Sequence, residues 1–117
     1  MNLEEYREYC LRKAGVSEHL PFDIKTLVFK AGWKIFSLTD IESFEGINLK
    51  SDPERTAQLR EEYPEITLGH HMSKIHWNTV STIGNLTDAE IYELIEHSYQ
   101  LVYESLTRKQ KERFEDR

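Results

Sequence analysis

Apolar positions recur along this chain with periods that mark helices at both ends and strands between them. Leu3, Tyr6, Cys10, Leu11 and Ala14 fall at helical spacing. Asn2 stands where a cap belongs, Glu5 at the capping-box position and Gly15 at the exit, so the spacing predicts a helix over 3–14. From Pro21 to Lys50 the period shortens. The runs TLVFKA, KIFSLTD and GINLKS, separated by turn formers at Ala31-Gly32 and Glu45-Gly46, predict an antiparallel meander. Asp52-Pro53 then opens a second helix with Ala57, Leu59 and Tyr63 as its apolar positions, closed by Pro64. EITLGHH and HWNTVS follow as two more extended segments, and Gly84-Asn85 as a turn. The last helix has the strongest signal. Thr87 and Glu90 form a capping box, Leu86 and Ile91 a hydrophobic staple, and Ile91, Leu94, Ile95, Ser98 and Val102 an apolar stripe. It should start at about Asp88 and reach about Leu106, with 108–117, RKQKERFEDR, either extending it or fraying.

This order of elements gives an α+β domain: an antiparallel sheet with helices packed on one face and the other partly open to solvent. At 117 residues, 1–117 reads as a single domain. With 38% hydrophobic and 31% charged residues and no apolar run near the roughly 20 residues of a membrane span, no membrane role is expected. The acidic, amphipathic N-terminus differs from a secretory signal, and a lone Cys10 builds no disulfide framework, so a cytoplasmic location is the expectation. A monomer is expected as well, without a sequence signal that fixes the oligomeric state. A net charge of −6 disfavours general affinity for nucleic acid. Any such binding has to be local.

One stretch departs from this acidic background. Residues 66–87 contain no Asp or Glu, where the composition would place about four, and GHHMSKIHWNTV within them holds three of the five histidines. If 75–81 is a strand, Ile75, Trp77, Thr79 and Ser81 point one way, with His76, Asn78 and Val80 the other. On this reading Trp77 anchors the strand in the core, while His76, Asn78 and Lys74 meet an anionic or polar partner. The alternative is that Trp77 and Asn78 serve packing alone and the histidines are ordinary surface residues. His70 and His71 would face opposite sides of a strand and, with His76, lack a fourth ligand, so neither a metal nor a cofactor is expected. Cys10 suits a buried structural thiol, no nucleophile elbow or glycine-rich phosphate loop is present, and no pair stands out among 21 acidic residues. The chain does not read as an enzyme.

The blocks NLEEYREYCLRKAG, PFD, TLVFKAGWKIFSL, INLKSDPE, LREEYPEITLGHHMSKIHWNTV and LIEHSYQLV, in this order, resemble the MmcQ/YjbR family across nearly the whole chain. The resemblance implies a two-layer fold of the secretion-chaperone-like type, with an antiparallel sheet of about five strands beside the three helices, and a DNA-binding role through a double wing of strands and loops. Matched to the family blocks, Lys30, Lys34, Lys50 and Lys74 are the cations available for phosphate, and Lys30 and Lys34 flank the turn at Gly32 as one wing. Two functions are therefore carried forward. One is a DNA-binding module, weak and local, using the sheet lysines and the HHMSKIHWN segment; the other is a non-enzymatic protein- or peptide-interaction module on a chaperone-like fold. Convergence of the four lysines favours the first, and dispersal favours the second.

Overall fold

A computed structural model describes residues 1–69 and 72–115. The chain runs α1 (Leu3–Leu11), β1 (Val16–His19), β2 (Thr26–Ala31), β3 (Lys34–Asp40), β4 (Gly46–Lys50), α2 (Pro53–Glu62), β5 (Ile66–Leu68), β6 (Trp77–Ser81), α3 (Asp88–Glu104) and α4 (Arg108–Glu115). The class is α+β, and the described residues form one antiparallel sheet of six strands and four helices where five and three were expected. Among the described residues no helix is long and apolar enough to cross a membrane.

The predicted helix starts are present. Asn2 with Glu5, and Thr87 with Glu90, make complete capping boxes, and the Asp52 side chain accepts the Arg55 N–H ahead of Pro53. Helix α1 stops at Leu11, three residues early, because the chain must turn to feed a strand absent from the sequence reading. Gly15 makes that turn at φ +74°, and its carbonyl accepts the Gly32 N–H at 3.0 Å. The strand is β1, four mostly polar residues paired along β2 from Val16↔Ala31 to His19↔Val28. It is an edge strand held to α1 by a bidentate Arg7–Glu18 pair, with N···O distances of 2.6 and 2.7 Å.

The strand order is β1-β2-β3-β4-β6-β5, so β6 lies between β4 and β5. A bulge at the β2–β3 register step breaks the neighbouring ladder, and α3 repairs it. The buried Ser98 hydroxyl donates to the Phe36 carbonyl at 2.6 Å and accepts the Lys50 N–H at 2.9 Å. On the helix side, Tyr6, Phe29, Phe36, Ile47, Ile91, Ile95 and Val102 form the main core. Burial pushes the Tyr6 hydroxyl well above the usual phenol range, and it shares a 2.6 Å hydrogen bond with Ser37. The other face carries a second, smaller cluster of Val28, Leu38 and Trp77, with Ile35 and Met72 packed against it. That face is therefore only partly open.

Residues 108–115 neither extend α3 nor fray. After a break at Ser105–Thr107 they form α4, which buries Phe114 against Gly15, Gly32 and Trp33, with the Phe114 and Trp33 rings edge-to-face at 5.0 Å.

Candidate nucleic-acid interface

The sequence-predicted site residues do not converge on one surface, and this dispersal of Lys30, Lys34, Lys50 and Lys74 favours the interaction-module reading; DNA binding has to rest on cations outside that set. A two-residue turn pairs Ala31 with Lys34 and Lys30 with Ile35. Because neighbouring strand residues alternate, Lys30 faces the open side of the sheet while Lys34 faces the helices, where its Nζ donates to the Ser105 hydroxyl at 3.0 Å. The two lysines thus share the hairpin tip but not a face of the sheet. Lys50, paired with Trp77 across β4 and β6, lies on the open face at the level of Lys30, two strand spacings or about 10 Å away. Lys74 is exposed in the turn before β6.

One correction concerns Asn78 and His76. Strand β6 starts at Trp77, not at residue 75, so His76 belongs to the preceding turn, half-buried, its carbonyl accepting the Ser51 N–H at 2.9 Å. Asn78 does not meet solvent. Only 2% exposed, it lies under α2, where its amide donates to the Thr56 carbonyl at 3.1 Å and its carbonyl accepts from the Arg60 guanidinium at 3.1 Å. Trp77 is buried as expected, in the smaller cluster on the face away from the helices. Trp77 and Asn78 do face opposite sides, but both sides are covered at this end of the strand. His70 and His71 lie outside the described residues; among those described, no group of three or more His, Cys, Asp or Glu is placed to hold a metal ion.

The structure instead gathers cations at one pole, where α4 meets the tip of the β2–β3 hairpin. Trp33, at the tip, is half exposed, and the Arg113 guanidinium lies 5.0 Å from its ring centre. Lys34 stands beside it through Ser105 at the end of α3. Among the described residues Lys30, Lys34, Lys109 and Arg113 have no ion-pair partner. Arg108 and Lys111 pair with Glu112 and Glu104 at 3.6 and 3.2 Å, exposed bridges of small worth that a phosphate can displace. Sequence reading missed Trp33, Lys109 and Arg113. The available signals were a tryptophan at a hairpin turn and a single aromatic, Phe114, inside a run of cations.

The Cys10 thiol, on the buried face of α1, is fully buried, and desolvation pushes it up to about 12.

Comparison with known proteins agrees with this architecture. A family model described as YjbR matches residues 11–101, leaving α4 just beyond it. The chain is 32% identical over 101 residues to the Escherichia coli K12 protein described as uncharacterized protein YjbR, covering 86% of each. It is 37% identical over 94 residues to uncharacterized protein YbdF of Escherichia coli O157:H7, covering 80% of this chain and 77% of that one. The crystal structure of Deinococcus radiodurans protein DR2400 superposes with a TM-score of 0.88 at 34% identity, over 96% of this chain and 86% of its own. A Pseudomonas syringae protein superposes at 0.75 with 32% identity, over 87% and 99%. In sequence blocks, in fold and across most of its length, this chain belongs to the YjbR family.

Proposed function

We propose that the chain is a non-catalytic DNA-binding protein whose phosphate-contacting surface is the pole formed by the β2–β3 hairpin tip and α4. The observation that carries this reading is that the hairpin tip and α4 bring Lys30, Lys34, Lys109 and Arg113, none with an ion-pair partner among the described residues, to one pole of a protein of net charge −6, with the Arg113 guanidinium 5.0 Å from the half-exposed Trp33 ring. An acidic protein that binds polyanions needs its cations concentrated, because counterion release rewards only those close enough to touch phosphates. Lys50 continues the positive surface from Lys30 across the sheet. Asn78 is buried and is left out of this surface, as are His76 and Trp77 of the same segment. Contacts to phosphate give affinity without sequence preference, so the expected binding is weak and non-specific.

The test is anisotropy of a labelled duplex of about 20 base pairs between about 50 and 200 mM salt. Binding should weaken steeply with salt, and Lys34→Ala with Arg113→Ala should flatten the slope of log K against log salt by about two units. No binding at low salt, or a slope untouched by the double variant, would refute it.

A further inference from the structure

The other end of the sheet has the opposite character. Between the β1–β2 loop and the turn before β6, the open face sinks into a cavity of 660 Å³. Leu38 and the paired Asn48 and Thr79 lie along it, Phe22 comes in from one loop and Met72 from the other, and Asp23, Asp40 and Glu45 stand at its margin. Its size suits a ligand cleft. Two of the carboxylates already shape the backbone. Asp23 accepts the N–H groups of Lys25 and Thr26 and is held below the usual carboxylate range chiefly by the Lys25 bond, while Asp40 accepts those of Glu42 and Ser43. Among the described residues none of the three has an ion-pair partner, so the cavity lining carries three carboxylates whose charge is offset only by local hydrogen bonds at Asp23 and Asp40.

A second, independent observation indicates how large the occupant is. Of the large apolar side chains left exposed, Leu20, Phe22 and Ile24 crowd into the β1–β2 loop at 50, 67 and 85%, and Ile75 stands at 63% on the opposing turn. Exposed apolar residues gathered on two loops that border one cleft mark a contact surface. They extend beyond the cavity, farther than a small molecule seated inside it would reach.

We propose that this groove docks a partner protein through an extended segment in which lysine or arginine alternates with apolar residues. The cation meets the Asp40 and Glu45 carboxylates, and the apolar side chains pack on Phe22, Leu38 and Met72. The side-chain N–H groups of Asn48, whose carbonyl accepts from Thr79, have no acceptor among the described residues and are placed to donate to the segment's backbone. Complementary charge selects the partner: the acidic rim repels the polyanion assigned to the opposite pole, so the two surfaces take partners of opposite sign and neither depends on the other.

The probe is a fluorescein-labelled decapeptide of alternating lysine and leucine, compared with a leucine–glutamate twin and a lysine–serine twin by anisotropy at about 0.15 M salt. Saturable binding is expected for the lysine–leucine peptide alone. Asp40→Asn with Glu45→Gln, which keeps the turn-forming acceptor at position 40, should weaken it at least tenfold. Phe22→Ser, at an exposed position, should weaken it several-fold, and Lys34→Ala with Arg113→Ala should leave it unchanged. Equal binding of the lysine–serine peptide, or indifference to the carboxylate variant, would reduce the effect to general charge attraction and overturn the proposal. Equally tight binding of octylammonium would replace the peptide with a small organic cation, and a dimer dissolved by Phe22→Ser would assign the face to a second copy of the chain. Either result would overturn it too.

Discussion

Replacing Asn78 by alanine removes two hydrogen bonds from an almost fully buried position, one to the Thr56 carbonyl and one from the Arg60 guanidinium, both at 3.1 Å. A neutral bond of this kind is worth about 1 kcal/mol net, and one to a charged group about 1.5–3 kcal/mol. Arg60 is only half-buried and can recover water, so the lower part of the second range applies. The sum is a loss of about 2–3 kcal/mol. With an m-value of about 2 kcal/mol/M for a domain of this size, the urea midpoint should fall by about 1 M without a change in slope. Asn78→Asp sharpens the test. It keeps the volume and the acceptor for Arg60 but turns the donor into a carboxylate oxygen facing the Thr56 carbonyl, so it should also destabilise at neutral pH. A double-mutant cycle with Arg60→Ala should return a coupling of about 1 kcal/mol. Should Asn78→Ala cost less than about 0.5 kcal/mol, the range of ordinary surface substitutions, the side chain is not sealed under α2 and the partner-facing assignment returns.

Two further outcomes follow from the burial. Trp77→Ala should destabilise by about 3–5 kcal/mol in the same urea assay, because its ring closes the cluster of Val28 and Leu38, whereas Lys74→Ala should stay within about 0.5 kcal/mol of the parent. Cys10 makes stability sensitive to alkali. Its ordinary value is 9.0 and its folded value about 12, so above pH 9 the unfolded chain releases a proton that the native state keeps. Stability is unaffected below pH 9 and falls by about 1.4 kcal/mol per unit above it, with Tyr6 adding to the loss beyond pH 10. Urea midpoints at pH 8 and pH 10 read this directly, and Cys10→Ala should flatten the difference; an unchanged slope would mean that the thiol is already open to water.

What the sequence disclosed depended on whether the signal was local. Strands β2 and β3 were legible residue for residue, since TLVFKA and KIFSLTD are rich in strand formers and Gly32 sits between them at φ +62°. Helix α3 was legible because a capping box and an apolar stripe agree. Strand β1 was not, because Val16–His19 gains its place by pairing with β2 rather than from its own side chains. The faces of β6 escaped for a different reason. Alternation assigns Asn78 and Trp77 to opposite sides, but it does not say that α2 covers one side and Met72 the other. Helix α4 was hidden because the socket that receives Phe114 is made by Gly15 and Gly32, 99 and 82 residues back along the chain.

The strand order has a consequence for how the molecule opens. Residues 16–50 form a meander whose neighbours in sequence are neighbours in the sheet, but β5 touches the sheet only through β6, which arrives later in the chain and inserts between β5 and β4. Any fluctuation that frees β6 therefore strips β5 of its ladder as well, while β5 can detach alone. Amide hydrogens of β5 can never be better shielded by sheet pairing than those of β6, and the two strands form an outer unit that can peel away from a meander still intact. The contacts within that meander close short loops, so it is also the part of the sheet that can assemble first, with β6 the strand that commits the rest.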